Sequence, residues 1–176
     1  MTYDNINALA EKYASEYNPD KLTPFPYENI TKARGDLDVI YLDPDDPKVS
    51  GVILYEEDEN KFSILINSTK HPNRQHFTLG HELGHYFLHG DILKSEKGFV
   101  DGDTSLDNSN ILYRLDEEAQ TKLEIEANHF AASLLMPSQL VEEAWEVVHD
   151  IEECAKLFNV STIAMSIRLT ELKLVS

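Results

Sequence analysis

Apolar residues recur with a helical period at both ends of this chain and with short, dense runs between them. Ile6, Leu9, Ala10 and Tyr13 fall on one side of a segment from Asn5 to Tyr17, which predicts a short amphipathic helix. Asn18 to Pro26 holds three prolines and reads as a turn-rich connection. Leu37–Leu42, Gly51–Tyr55 and Phe62–Asn67 are Val-, Ile- and Leu-rich and read as strands, with Asp43–Pro47 and Glu56–Asn60 as the turns between them. Short links predict a small antiparallel sheet of about three strands. Pro72 to His89 then reads as one helix, with Pro72 suited to a first turn and Gly90 placed to stop it. Residues 91–114 turn polar and lose their period, so a long loop is expected there, either disordered or a substrate-facing flap. Helical patterning returns from Asp116 to about Leu135, around Leu123, Ala127, Phe130, Ala131 and Leu134. It continues over Gln139–His149, Ile151–Phe158 and Thr162–Leu172. The fold class expected is α+β: an N-terminal helix, a small sheet, one central helix and a helical C-terminal part. Residues 1–138 form one expected unit, and 139–176 a helical extension packed on it.

The central helix carries the chemistry. His81-Glu82-Leu83-Gly84-His85 puts two imidazoles four residues apart, so both lie on one face and can reach one metal ion. Glu82, about a quarter-turn away, can address a water on that metal. This is the HExxH pattern of zinc hydrolases, with Glu82 as general base and one Zn²⁺ per chain. Phe77, His81, Gly84, His85 and Leu88 share the same helical face, which carries the histidines into an apolar interior.

A catalytic zinc takes three protein ligands and keeps a fourth position for water. His89 continues the four-residue series but lies about 12 Å along the helix from His81, too far for bonds of about 2 Å. A carboxylate from another helix is the better third ligand, and Glu124-Ile125-Glu126-Ala127-Asn128 supplies two. Glu124 is favoured because Asn128 follows it by one turn and can offer an amide oxygen to His81 or His85, the outer support that a metal-bound histidine normally needs. Glu126, followed at that spacing by Phe130, is held in reserve. For the oxyanion, His129, Tyr86, Tyr113, Arg114 and His149 are candidates that the sequence does not rank.

Composition narrows the partners. The net charge of −17 disfavours a phosphate backbone; it either favours a basic protein through long-range steering or serves only to keep the chain in solution. Cys154 is the sole cysteine, so no internal disulfide forms, and its helical neighbours Ile151, Ala155 and Phe158 mark it as a core residue. No signal peptide and no membrane-length apolar run is visible, so a cytoplasmic setting is expected. Residues 151–175 have the outline of a helix-turn-helix. Lys156, Arg168 and Lys173 are balanced there by Glu152, Glu153 and Glu171, whereas a groove-binding helix should be basic, so DNA contact is not expected.

Asn73-Arg74-Gln75-His76-Phe77-Thr78-Leu79-Gly80 leading into the HExxH resembles the ImmA/IrrE family of metallo-endopeptidases. So does the run from Glu124 through Asn128-His129-Phe130-Ala131-Ala132-Ser133-Leu134-Leu135-Met136-Pro137. The ending from Ala155 through Phe158-Asn159-Val160-Ser161 to Arg168-Leu169 is similar as well. The similarity spans roughly Phe62 to Leu174 and implies a zincin-like, gluzincin-type fold. It also implies His81, His85 and Glu124 as ligands, Glu82 as the catalytic glutamate, and a helix-turn-helix repressor as substrate in an antirepressor or stress response. Asn128 stands where the wider gluzincins commonly have Asp. The competing expectation is a regulatory binding partner that does not cleave, such as one half of a toxin–antitoxin or repressor–antirepressor pair.

Overall fold

A computed structural model describes residues 1–96, 98–101 and 117–175. The first helix, α1 (Tyr3–Tyr17), begins under a Thr2 cap whose hydroxyl accepts from Asn5 N. Ile6, Ala10, Ala14 and Tyr17 form its buried face. A short α2 (Glu28–Ala33) follows the prolines, anchored by the wholly buried Ile30. Six residues are too few to display a helical period, so this helix leaves no pattern in the sequence.

Strands β1 (Leu37–Leu42), β2 (Gly51–Glu56) and β3 (Lys61–Asn67) fall where the apolar runs predict them. Their arrangement departs from an antiparallel meander. The sheet is mixed and four-stranded, in the order β1-β3-β2-β4, with β1 parallel to β3 and β2 antiparallel to it. Connection lengths explain the difference. The β2–β3 link, Glu57–Asn60, closes as a hairpin with Asn60 at φ 51° and its side chain accepting from Tyr55 Oη at 2.8 Å. The longer, Pro44- and Pro47-bearing link after β1 instead steps past one strand position, leaving room for β3 between β1 and β2. Ile53, Ile64 and Ile66 are fully buried at the centre of the sheet.

The central helix α3 runs from Pro72 to Glu96 and does not stop at Gly90. Ile92 and the fully buried Leu93 prolong its apolar side, and that burial outweighs the modest helix penalty of one glycine. The expected polar loop is therefore shorter than 91–114. Its first six residues are helical, and β4 (Gly98–Asp101) pairs antiparallel with β2 from Gly51↔Asp101 to Leu54↔Gly98. A flap or disorder over the remainder of that stretch falls outside the described residues.

Helix α4 (Glu117–Leu135) packs along α3, and α1 packs along α4, so α3 lies with β2 and β3 on one side and α4 on the other. The helices α3 and α4 approach closely at Gly84. A Cβ there would sit 2.9 Å from both Cα and the carbonyl oxygen of Ala127. These are backbone atoms that cannot turn aside. Gly84→Ala should therefore lower stability by roughly 1–3 kcal/mol through overpacking, and it should push α4 away from the histidines. A thermal melt together with a zinc titration checks this; a variant with unchanged melting and zinc uptake would show that the helices are not held so tightly.

Helices α5 (Ser138–Val148), α6 (Ile151–Phe158) and α7 (Thr162–Glu171) close the chain. Cys154, Ala155, Phe158, Val160, Met165 and Leu169 enter the same buried cluster as the α1, α3 and α4 side chains. Asp150 and Ser161 cap α6 and α7, and Asn159 turns between them at φ 52°. Arg168 is buried. It donates from Nε to Met136 O at 2.9 Å and pairs through Nη2 with Glu11 Oε1 at 2.9 Å. Among the described residues no helix is long and apolar enough to cross a membrane.

Candidate metal centre

Two neighbours on α3 and one residue of α4 bring their donor atoms together. His81 Nε2 and His85 Nε2 lie 3.0 Å apart. Glu124 Oε2 is 3.1 Å from the first and Oε1 is 3.3 Å from the second. Among the described residues these three form a group whose donor atoms all lie within 4.8 Å of one another. Ligands at about 2.0–2.1 Å around a tetrahedral zinc are about 3.3 Å apart, so the separations suit one ion of that size. The donor set, two imidazoles and a carboxylate, suits zinc chemically.

Behind the pair, Asn128 Oδ1 stands 3.0 Å from His81 Nδ1. An amide oxygen can only accept, so Nδ1 of His81 carries the hydrogen and Nε2 keeps its lone pair for the shared centre. The sequence left open which histidine Asn128 would meet; the crossing of α3 and α4 selects His81. Glu126 is turned elsewhere, with Oε2 3.1 Å from His89 Nε2. His89 in turn has its Nδ1 3.0 Å from Nδ1 of His85. Rejecting His89 as a ligand on distance overlooked its contact with His85. The unbroken series His81, His85, His89 was the available signal.

Glu82 is fully buried, with Oε1 facing β2. A Cβ at Gly51 would lie 3.3 Å from that oxygen and would collide with the Thr78 methyl. Glycine at the start of β2 thus leaves room for Thr78 and Glu82 against the sheet. Of the oxyanion candidates, Tyr86 donates to Asp36 at 2.8 Å and His149 stacks on Trp145. His129 stacks on Tyr3, with ring centroids 4.3 Å apart, and lines a groove beside Asn128. Tyr113 and Arg114 lie outside the described residues. That groove, of about 300 Å³, is walled by Phe77, Ile125, Met136 and Ile167.

Burial and pairing set the charges. Burial favours a protonated Glu124, but the facing imidazoles of His81 and His85 outweigh it and hold the carboxyl well below its usual range. Burial lowers His85 to about 4, against a raising influence from Glu124, and lowers His76 to about 4. In the metal-free protein both rings are thus neutral when folded, whereas the unfolded chain begins taking up protons near pH 6.5. Stability contributed by these groups is complete above that value and is lost as pH falls toward about 4. Glu124 acts in the same direction below its ordinary value of 4.5. Urea unfolding of the metal-free protein should show stability lower at pH 5 than at pH 7, on the order of 2–4 kcal/mol for the two histidines. Equal stability at both values would contradict the burial assigned to these rings.

Residues 33–170 match the Peptidase_M78 family model, the IrrE N-terminal-like domain. The chain belongs to the ImmA/IrrE family. The match begins before β1 and so takes in the whole sheet, earlier than the resemblance visible from Phe62. The radiation response metalloprotease IrrE of Deinococcus radiodurans is 35% identical over 61% of this chain and 30% of its own length. The metallopeptidase ImmA of Bacillus subtilis is 25% identical over 78% of this chain and 73% of its own. The chain therefore spans under a third of the first relative and about three-quarters of the second. A Mycobacterium tuberculosis transcriptional regulator shares the fold, with a TM-score of 0.60 at 19% identity over 94% of this chain and 47% of that one.

Proposed function

We propose that this ImmA/IrrE family member is a zinc-dependent endopeptidase whose ligands are His81, His85 and Glu124 and whose general base is Glu82. The observation that carries this reading is the convergence of the three donors beside a wholly buried HExxH glutamate. The names of the curated relatives, a metalloprotease and a metallopeptidase, support it. Zinc in this site would polarise a scissile carbonyl and acidify a bound water. Glu82 takes a proton from the attacking water as its oxygen bonds to the carbonyl carbon. It returns that proton to the amine nitrogen as the C–N bond breaks, which restores the carboxylate. His81 and His85 stay neutral throughout, with Asn128 fixing the orientation of the first ring.

The proposed substrate is a basic helix-turn-helix repressor. A net charge of −17 draws a basic protein toward the chain, and the apolar groove running up to Asn128 offers side chains near the cut a dry wall. Its wall includes Ile167, 56% exposed, which also lines a second groove together with Ile163, 74% exposed. DNA itself is a poorer partner. Of the three basic residues between positions 151 and 175, Arg168 is already committed to Glu11 and Met136, which leaves little to neutralise phosphates.

Incubating the zinc-loaded protein with candidate repressors, and weighing the fragments by mass spectrometry, tests the proposal. One defined cut that a chelator abolishes and added zinc restores is expected. Intact repressor under all conditions, with zinc bound, would refute the peptidase reading.

A further inference from the structure

His89 and Glu126 have no part in the chemistry above, yet both are buried and directly coupled to it. His89 is 3% exposed and sits one helical turn beyond His85. We infer that His89 and Glu126 form a tautomer lock for His85, a positioning pair that keeps the proton on Nδ1 of His85 and the lone pair on Nε2. The inference rests on reading His85 as a metal ligand.

The polarity of the chain follows from what each atom can do. An ionised carboxylate only accepts, so Nε2 of His89, 3.1 Å from Glu126 Oε2, carries a hydrogen. The two facing Nδ1 atoms, 3.0 Å apart, have room for one proton between them. With its hydrogen on Nε2, neutral His89 presents a bare Nδ1, and the shared proton belongs to His85. The Nε2 of His85 is then bare where it faces His81 and Glu124. The reverse polarity requires hydrogens on both nitrogens of His89 and an N–H on His85 Nε2, pointed where the metal would bind. His81 and His85 thus receive the same treatment by different means: one is held by an amide oxygen, the other by an imidazole that a carboxylate orients. Such outer partners carry about 10–100-fold in metal affinity.

The test compares zinc affinity, by competition with a fluorescent chelator, across Glu126→Gln, Glu126→Leu, His89→Gln and His89→Phe, with circular dichroism as the folding control. Glu126→Gln retains an acceptor and should bind zinc within a few-fold of the parent, whereas Glu126→Leu should lose roughly 10–100-fold. His89→Gln can still accept from His85 and should retain more affinity than His89→Phe. If His89→Phe fails to fold, the Glu126 pair decides alone. Long-range ¹H–¹⁵N spectra of the zinc-loaded parent should show His89 protonated at Nε2 and not at Nδ1. Equal zinc affinity in Glu126→Leu and the parent, or an Nδ1-protonated His89, would overturn the lock. A parent protein that binds zinc with the expected variant order but cuts no repressor would sink the peptidase reading and leave the lock standing.

Discussion

Glu82→Gln should leave zinc binding and folding intact while reducing cleavage at least 100-fold, within the roughly 10²–10⁴-fold range typical of a positioned acid–base group. The substitution keeps size and shape, so the cavity between α3 and β2 near Gly51 stays filled. Only the ability to take and return a proton is lost. Zinc content, a melting curve and the rate of repressor fragmentation, measured on one preparation, separate these properties. The variant also discriminates between the two functional readings set up by the sequence. A partner that merely binds a repressor has no use for a proton acceptor at this position, so Glu82→Gln would still relieve repression in cells. Full relief of repression by the variant would transfer the function from cleavage to binding.

Glu124→Ala is expected to be the most damaging change to metal uptake. A structural zinc site is worth roughly 10–16 kcal/mol over four ligands, so losing one ligand should weaken binding on the order of 10²–10³-fold. The loss also removes the carboxylate that lies within 3.3 Å of both imidazoles and offsets their burial. Glu126→Ala should cost at least tenfold less, because Glu126 meets His89 and not the ligand pair. Isothermal titration with zinc, or competition against a chelator of known affinity, gives the order directly. If Glu126→Ala proved the worse of the two, the ligand role would pass to Glu126, and the observed separation of the two side chains would not describe the metal-bound protein.

The two glutamates show how far sequence reading reaches. Both flank the apolar stripe of α4, and the spacing to Asn128 favoured Glu124 without excluding its neighbour. Only the crossing of α3 and α4 separates them, and that crossing is set by the missing side chain at Gly84 against the backbone of Ala127. His89 illustrates the converse. Its spacing is legible, and distance along the helix argues against it as a ligand. Its contact with Glu126 depends on a residue 37 positions away, which no local pattern contains.

The strands were legible because each is a dense apolar run bounded by turn residues, but their order was not. Pairing β1 with β3 is a choice between neighbours that differ in loop length and burial over a distance the alternation cannot report. The overrun of α3 past Gly90 has a similar cause: local helix propensity argues for a stop, and burial of Leu93 in the core overrules it. The sequence by itself determined the helix that carries His81, Glu82 and His85, because helical geometry alone puts residues four apart on one face. Tertiary structure decided which carboxylate faces that pair, which groups stand behind each ring and how the strands are ordered, because these depend on the approach of segments that the chain keeps far apart.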